Sequence, residues 1–210
     1  MQITEPSTML TDYVLAIFAI ILAARLWKRR QLNVQISVQF WSAAFAATAL
    51  AALVGGTSHG FVLYLNEAAK VFIWKTTVQV IGLASFFMLA GTIVASTAGR
   101  VKHLLLTSAF LQLAVYAGWM VFHNEFKYVI FDYVPAMLAI ILLQGYAFLK
   151  NRDKSAVWMV AGILISFAAA GVQLSGFAIH RHFNHNDLYH VIQMVGIYLL
   201  FRGASLLRDQ

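Results

Sequence analysis

The segment from His180 to His190 has the densest set of chemically active side chains in the sequence, with four histidines in eleven residues. Asp187 and His190 are three positions apart within it. If a helix begins near Asn186, with Asn184 or Asn186 itself as its cap, residues at this spacing lie on one face of that helix. This pairing is typical of a metal-binding histidine with a carboxylate that orients its ring.

A second candidate, His59, follows the glycine-containing stretch Val-Gly-Gly-Thr-Ser and directly precedes Gly60. We expect it about six residues before the outer end of the second helix, on the order of 9 Å below that end. His190, roughly one turn into the last helix, is expected at a comparable depth. An ionisable side chain at such a depth in a membrane is costly and indicates function. The flanking glycines permit a neighbouring helix to come close.

Neutral imidazoles together with carboxylates suit Zn²⁺, and a catalytic zinc takes three protein ligands and one water. The predicted ligands are His59, His190 and either His185 or His182. An acid beside them would orient a ligand or act as general base for the bound water. The candidates for that role are Asp187, Asp132 and Glu67.

Other interpretations of these residues stay open. The exposed histidines His180 and His182 can equally be solvated loop residues without a function. Asp132 can form a structural ion pair with Lys127 or with Lys75 instead of taking part in catalysis. The sequence does not decide between these interpretations.

The composition shows which elements must position these residues. Of the 210 residues, 61% are hydrophobic and only 11% are charged, whereas a soluble domain is about one-quarter charged. The apolar runs lack the alternation of barrel strands, so each must satisfy its own backbone as a membrane-spanning helix. The chain has no cysteine, which excludes disulfides, thiolate ligands and a cysteine nucleophile.

Polar breaks divide the chain into seven apolar segments, each close to the roughly 20 residues that a membrane helix needs. The short connections predict one domain, residues 1–210, folded as an all-α bundle of seven transmembrane helices. The predicted helices are Leu10–Trp27, Val38–Leu65, Ala68–Ser96, Val101–Phe122, Tyr128–Leu149, Ala156–His180 and Asp187–Leu207.

The basic residues predict how the bundle is oriented. Eleven of the 15 lysines and arginines fall in the first, third and fifth loops or near the C-terminus, and such a bias marks the cytoplasmic side. We therefore expect the N-terminus outside and the C-terminus in the cytoplasm, in an inner or plasma membrane. The net charge of +7 then fits contact with anionic membrane lipids, and we expect no nucleic-acid partner. The eleven residues are Arg25, Lys28, Arg29, Arg30, Arg100, Lys102, Lys150, Arg152, Lys154, Arg202 and Arg208.

The pattern resembles the superfamily of seven-helix membrane proteins that joins alkaline ceramidases with the progestin and adiponectin receptors. That superfamily carries a serine and a histidine on the second helix, an aspartate on the third and two histidines spaced HxxxH on the seventh. Ser58 and His59 resemble the second-helix pair, and His190 resembles the second histidine of the seventh helix. Asn186 stands where the first would be, and Asp132 resembles the family acid but lies on the fifth helix. The resemblance implies a zinc ion, a site that includes Ser58, and amide hydrolysis of a lipid.

We therefore expect a zinc-dependent membrane hydrolase that cleaves a lipid amide or ester near the extracytoplasmic ends of the helices. One alternative is a non-enzymatic receptor or ligand-binding protein, since relatives in the resembled superfamily are receptors. A further alternative is a haem-binding electron carrier, because paired intramembrane histidines also ligate haem.

Overall fold

A computed structural model describes residues 2–30, 35–180 and 182–210. Arg181 and the side chains of Arg29 and Arg30, which enter the charge pattern above, lie outside the described residues. The described chain contains seven α-helices and a short 3₁₀ turn at Val62–Tyr64. The helices are α1 Pro6–Arg30, α2 Ile36–Phe61, α3 Glu67–Ser96, α4 Gly99–Phe122, α5 Lys127–Asn151, α6 Ser155–Ser175 and α7 His185–Ala204.

The predicted all-α fold is confirmed, and among the described residues six helices, α1 to α6, are long and apolar enough to cross a membrane. The chain thus has the character of a multi-pass membrane protein. The last helix, α7, is 20 residues long, but its first two turns carry the polar side chains His185, Asn186, Asp187 and His190.

Several helix ends differ from the prediction, each for a local reason. Helix α1 begins at Pro6 rather than Leu10, because proline is well suited to the first helical position. Helix α2 ends at Phe61 rather than Leu65, where a 3₁₀ turn follows. Helix α6 ends at Ser175 rather than His180, because Gly176 takes the left-handed conformation with φ 68°, which glycine adopts without steric cost.

The helices pack as a ring that closes between the first and the last. Helix α1 contacts α2 and α7, α2 contacts α3, α3 contacts α5, and α6 joins α5 to α7. Helix α4 packs outside this ring against α3 and α5 and is the least buried of the candidate spans, whereas α3 is the most buried. The ring therefore brings residues from opposite ends of the sequence together.

Glycines allow the closest helix contacts, as they often do in membrane bundles. A Cβ atom added at Gly162 of α6 would lie 2.9 Å from the carbonyl oxygen of Gly196 in α7, and one at Gly56 of α2 would lie 2.8 Å from the Cβ of Asp12 in α1. Both distances are shorter than van der Waals contact, so a side chain at either glycine would force the two helices apart.

Residues near the C-terminus close the end of the bundle where α2 begins. The carboxylate of Asp209 accepts hydrogen bonds from the backbone N–H groups of Ile36, at 2.6 Å, and Ser37, at 3.0 Å. The side chain of the preceding Gln35 makes no capping bond of its own to α2. Asp209 therefore supplies the negatively charged cap that a helix N-terminus favours.

Candidate functional site

Helix α1 carries an aspartate into the interior of the bundle. Asp12 lies six residues after the first residue of the helix, on the order of 9 Å below its start. Its side chain is only 7% exposed, because Gly56 of α2 lets the two helices approach. Thr8 stands one turn above it and is also buried, so one face of α1 is polar toward the interior.

His190 of α7 meets this face of α1 from the other side. Its Nε2 atom lies 3.1 Å from Oδ1 of Asp12, and its Nδ1 atom lies 2.9 Å from the hydroxyl oxygen of Thr11. The imidazole is 8% exposed. His190 comes five residues after the start of α7, about 7.5 Å below it, so it shares a depth with Asp12. Each ring nitrogen thus has one partner on α1.

These distances allow two proton arrangements. In the first, the Thr11 hydroxyl donates to the backbone oxygen of Thr8, 3.1 Å away, and accepts from the Nδ1–H of His190. The contact between Nε2 and Asp12 then needs a further proton, carried by either of the two groups. Alternatively, Thr11 donates to Nδ1 and the Nε2–H donates to the carboxylate of Asp12. The second arrangement is a hydroxyl, an imidazole and a carboxylate in sequence, as in an acyl-transfer triad.

The start of α7 is fixed by a capping box. Asn184 is the N-cap, and its side chain accepts hydrogen bonds from the backbone N–H groups of Asn186 and Asp187. In return, Oδ2 of Asp187 accepts from the Asn184 N–H at 2.7 Å. Of the two predicted caps, Asn184 is therefore the correct one. Asp187 is fully buried and close enough to Asp12 and His190 to act on both electrostatically.

Three buried polar atoms in this region have no hydrogen-bond partner among the described residues. They are Oδ2 of Asp12, Oδ1 of Asp187 and the hydroxyl oxygen of Thr8. Buried polar groups in proteins are nearly always paired. Unpaired oxygens of this kind favour contact with a polar molecule that enters the site.

His59 lies on the rim of this cluster rather than inside it. It is two residues from the end of α2, about 3 Å below that end, so the predicted depth is wrong because α2 ends earlier than predicted. Its Nδ1 lies 3.1 Å from Oε2 of Glu5, and both side chains are more than one-third exposed. The backbone N–H groups of Thr4 and Glu5 donate to the carbonyl oxygens of Gly60 and His59, which fixes the N-terminal segment against α2.

The other predicted site residues lie at the end of the bundle where α1 begins. Ser58 is half-buried on α2, and His185, also half-buried, is the first residue of α7. Glu67 is 87% exposed and pairs with Lys70 at 2.7 Å. The structure thus brings His190 and Asp187 together near His59, and it does not add Glu67 to them.

Asp132 belongs to a different cluster, although it lies five residues into α5 and so at a depth similar to that of His190. Its carboxylate accepts a hydrogen bond from Gln112 of α4 at 2.9 Å. The predicted alternative pairing with a lysine is wrong. The ammonium group of Lys75 donates to three carbonyl oxygens at the C-terminal end of α4, and Lys127 pairs with Glu125.

Within the described part of the chain, no group of three or more histidine, aspartate or glutamate side chains is arranged to hold a metal ion. Both ring nitrogens of His190 have other partners, and Nδ1 of His59 faces Glu5. Three zinc ligands therefore do not converge in the described part of the chain, and we derive no chemical step through zinc. The zinc site stays a prediction.

Thr11 and Asp12 are site residues that the sequence pattern alone does not single out. A helix that starts at Leu10 would leave Asp12 in its first turn, as one of several acids on the outer side. The proline at position 6 is the signal that corrects this, since it favours the first position of a helix. A start at Pro6 places Asp12 nearly two turns inside an apolar helix, where an acid indicates function.

Comparison with known proteins identifies the chain only at the level of a family. The model of a family of unknown function, DUF6962, matches residues 7–209. No curated protein matches the chain, and no solved structure matches it.

Proposed function

We propose that this chain, which belongs to the DUF6962 family, is a membrane hydrolase that cleaves a lipid amide or ester by acyl transfer. Thr11 is the nucleophile, His190 is the general base and Asp12 orients the imidazole. One observation carries this assignment: the ring of His190 lies between the hydroxyl of Thr11, at 2.9 Å, and the carboxylate of Asp12, at 3.1 Å. A nucleophile within hydrogen-bond reach of a base, itself oriented by a third group, characterises an activated nucleophile.

The reaction follows from these contacts. Nδ1 of His190 takes the proton of the Thr11 hydroxyl as the oxygen attacks the acyl carbon of the substrate. The bond to the leaving amine or alcohol then breaks, and His190 returns the proton to that group. Water hydrolyses the resulting ester on Thr11 by the same proton transfers. The buried carboxylate of Asp12 stabilises the positive charge on the imidazole during both steps.

The membrane supplies the substrate class. In this proposal α7 is a seventh span, the N-terminus is outside and the C-terminus is in the cytoplasm, in agreement with the basic residues of the inner loops. Thr11 then lies in the outer half of the bilayer, at the level of acyl carbonyl groups.

The test uses the purified full chain in detergent with a panel of lipid amides and esters and a fluorophosphonate probe, which reacts with activated hydroxyl nucleophiles. Thr11→Val removes the hydroxyl at nearly constant shape, and we expect activity to fall at least about a thousandfold, as for other triads. Thr11→Ser should retain activity within about tenfold, because serine keeps the nucleophile. His190→Gln and Asp12→Asn should each lose about a hundredfold or more.

Thr57→Val is the matched control, since Thr57 is also a threonine at the outer end but contacts Tyr13 rather than His190. This variant should react with the probe and hydrolyse the substrates as the wild type does. Probe labelling that persists in Thr11→Val would contradict the assignment of the nucleophile. Activity lost to 1,10-phenanthroline and restored by zinc would contradict the metal-free mechanism and favour the zinc prediction.

A second function is favoured by the unpaired oxygens of Thr8, Asp12 and Asp187. They suit a receptor or binding protein that holds a polar ligand without cleaving it. In that case lipid substrates bind but are not turned over, and Asp12→Asn weakens binding while Thr11→Val does not. The same panel of variants thus separates the two functions.

A further inference from the structure

A groove on the membrane-facing side of the bundle lies between α4 and α5. It has a volume of about 520 Å³, within the range of small-molecule sites. Its walls are the apolar side chains of Leu111 and Val115 and the aromatic rings of Tyr116, Trp119, Tyr128 and Phe131. The groove is separate from the Asp12–His190 pair, so a ligand bound there does not depend on the proposed hydrolase activity.

Two polar residues, Asp132 and Gln112, also line this groove. The carboxylate of Asp132 accepts a hydrogen bond from the Gln112 side chain, and Ser85 of α3 faces it as well. Both neighbours are neutral. Among residues 2–30, 35–180 and 182–210, no lysine, arginine or histidine nitrogen lies within ion-pair distance of Asp132.

Two lysines at this end of the bundle have other partners. The ammonium group of Lys75 is held by the carbonyl oxygens of Met120, Val121 and His123. Lys127 lies 3.6 Å from Glu125 and 4.9 Å from the ring centre of Tyr128. The Asp132 carboxyl group, at the polar end of an apolar groove, therefore has no cationic partner, and its charged form is costly to bury alone.

The walls of the groove also favour a cation. Aromatic faces attract cations, most strongly where water is excluded, and Tyr116, Trp119 and Tyr128 line the same groove as Asp132. The ligand class must also lack a phosphate. A phosphate next to the amine would place a second negative charge against Asp132 in a medium of low dielectric constant.

We propose that this groove binds a single-chain amphiphile with a protonated amine head group. The ammonium group pairs with Asp132, and the hydrocarbon tail lies along Leu111, Val115 and Phe131. The amine sits about 7.5 Å below the start of α5, given the position of Asp132 in that helix and the helical rise. The tail is then shared between the groove and the surrounding lipid.

The experiment uses the full chain in phosphatidylcholine nanodiscs and two photoreactive probes, a long-chain alkylamine with a diazirine in its chain and the alcohol of the same length. Labelled peptides are identified by mass spectrometry. We expect the amine to label the α4 and α5 peptides of the groove at least tenfold more than the alcohol. Asp132→Asn should reduce labelling by the amine to the level of the alcohol.

Glu67→Gln is the matched control. Glu67 is an acid at the same end of the bundle that is 87% exposed and pairs with Lys70, and it does not line the groove. It should leave labelling unchanged. Val115→Trp fills the groove while Asp132 is intact and should also abolish labelling, which keeps the proposal testable if Asp132→Asn does not fold.

Equal labelling by the amine and the alcohol in the wild type would overturn the proposal, because the groove would then be a general lipid contact. So would undiminished amine labelling in Asp132→Asn or in Val115→Trp. A phosphatidylethanolamine that displaces the alkylamine as well as unlabelled alkylamine does would also overturn it, since its phosphate should be repelled by Asp132.

Discussion

Single residues near the N-terminal ends of α1 and α7 determine what the buried pair can do. The imidazole of His190 has a partner at each nitrogen, and its contact with Asp12 is almost completely withdrawn from water. In a medium of low dielectric constant, the loss of one partner leaves the other uncompensated, which costs more than the net contribution of the pair itself. Stability and activity should therefore respond differently to the same substitutions.

We expect His190→Leu to destabilise the protein by about 3–5 kcal/mol, because it leaves the Asp12 carboxylate buried without its partner. The double variant Asp12→Leu with His190→Leu should recover most of that loss, since neither group is then unpaired. The single variant His190→Leu and the double variant should both be inactive. Thermal unfolding in detergent measures this coupling, and additive losses in the double variant would show that the two side chains do not interact.

At the scale of helices, the pair depends on how closely α1 can lie against α2 and α7 against α6. Glycines permit both contacts, at Gly56 for α1 and at Gly162 and Gly196 for α7. A shift of either helix by a fraction of an ångström would change the geometry of the proposed triad. Glycines that take no part in the chemistry thus control its geometry.

Gly56→Ala should displace α1, because the new Cβ would lie 2.8 Å from the Cβ of Asp12. Overpacking of this kind costs about 1–3 kcal/mol, and we expect hydrolysis to fall at least about tenfold. Gly118→Ala is the control, since a Cβ there meets nothing within 4 Å and alanine is the better helix former. Equal activity of the two variants would show that the α1–α2 contact does not position Asp12.

Much of the helical pattern could be predicted from the sequence because it depends on apolar runs and short polar breaks, which are local. The ends of the helices could be predicted less well. Pro6 extends α1 by one turn, and Gly176 ends α6 early, although both follow known local preferences. The earlier start of α1 changed the depth of Asp12, and the earlier end of α2 changed that of His59. Depth decides whether an ionisable side chain is buried.

The partners of the site residues could not be predicted, because they depend on which helices become neighbours. The sequence placed His190 and Asp132 at one depth, and the structure agrees, but α7 packs on α1 whereas Asp132 faces α4. The pairing of Asp187 with the N-cap of its own helix was within reach of sequence reasoning, since an Asn followed three residues later by an acid is a capping signal.

On the scale of the whole molecule, the described bundle has two chemically different ends. One end carries the buried acid–base pair and the groove at Asp132, and the basic loops predict that the other faces the cytoplasm. The proposed function requires the first end to face outward. Because the chain contains no cysteine, a single introduced thiol reports its own location.

We expect Asn124→Cys, at the C-terminal end of α4, to react with a membrane-impermeant maleimide in intact cells. Ala98→Cys, at the other end of the same helix, should react only after the cells are permeabilised. Both positions are exposed, and neither change alters the charge that sets orientation. The reverse labelling pattern would place the proposed site on the cytoplasmic side.

The cap of α2 by Asp209 has a consequence for how the protein is made. The capped amide of Ile36 and the carboxylate of Asp209 are 173 positions apart in sequence, and Thr11 and His190 are 179 apart. Because the ribosome synthesises the chain from its N-terminus, α1 and α2 enter the membrane before His190 and Asp209 have been synthesised. Synthesis of the last helix and the residues after it therefore completes both ends of the bundle at the same late moment, and a nascent chain that stalls before α7 has neither its helix cap nor its acid–base pair.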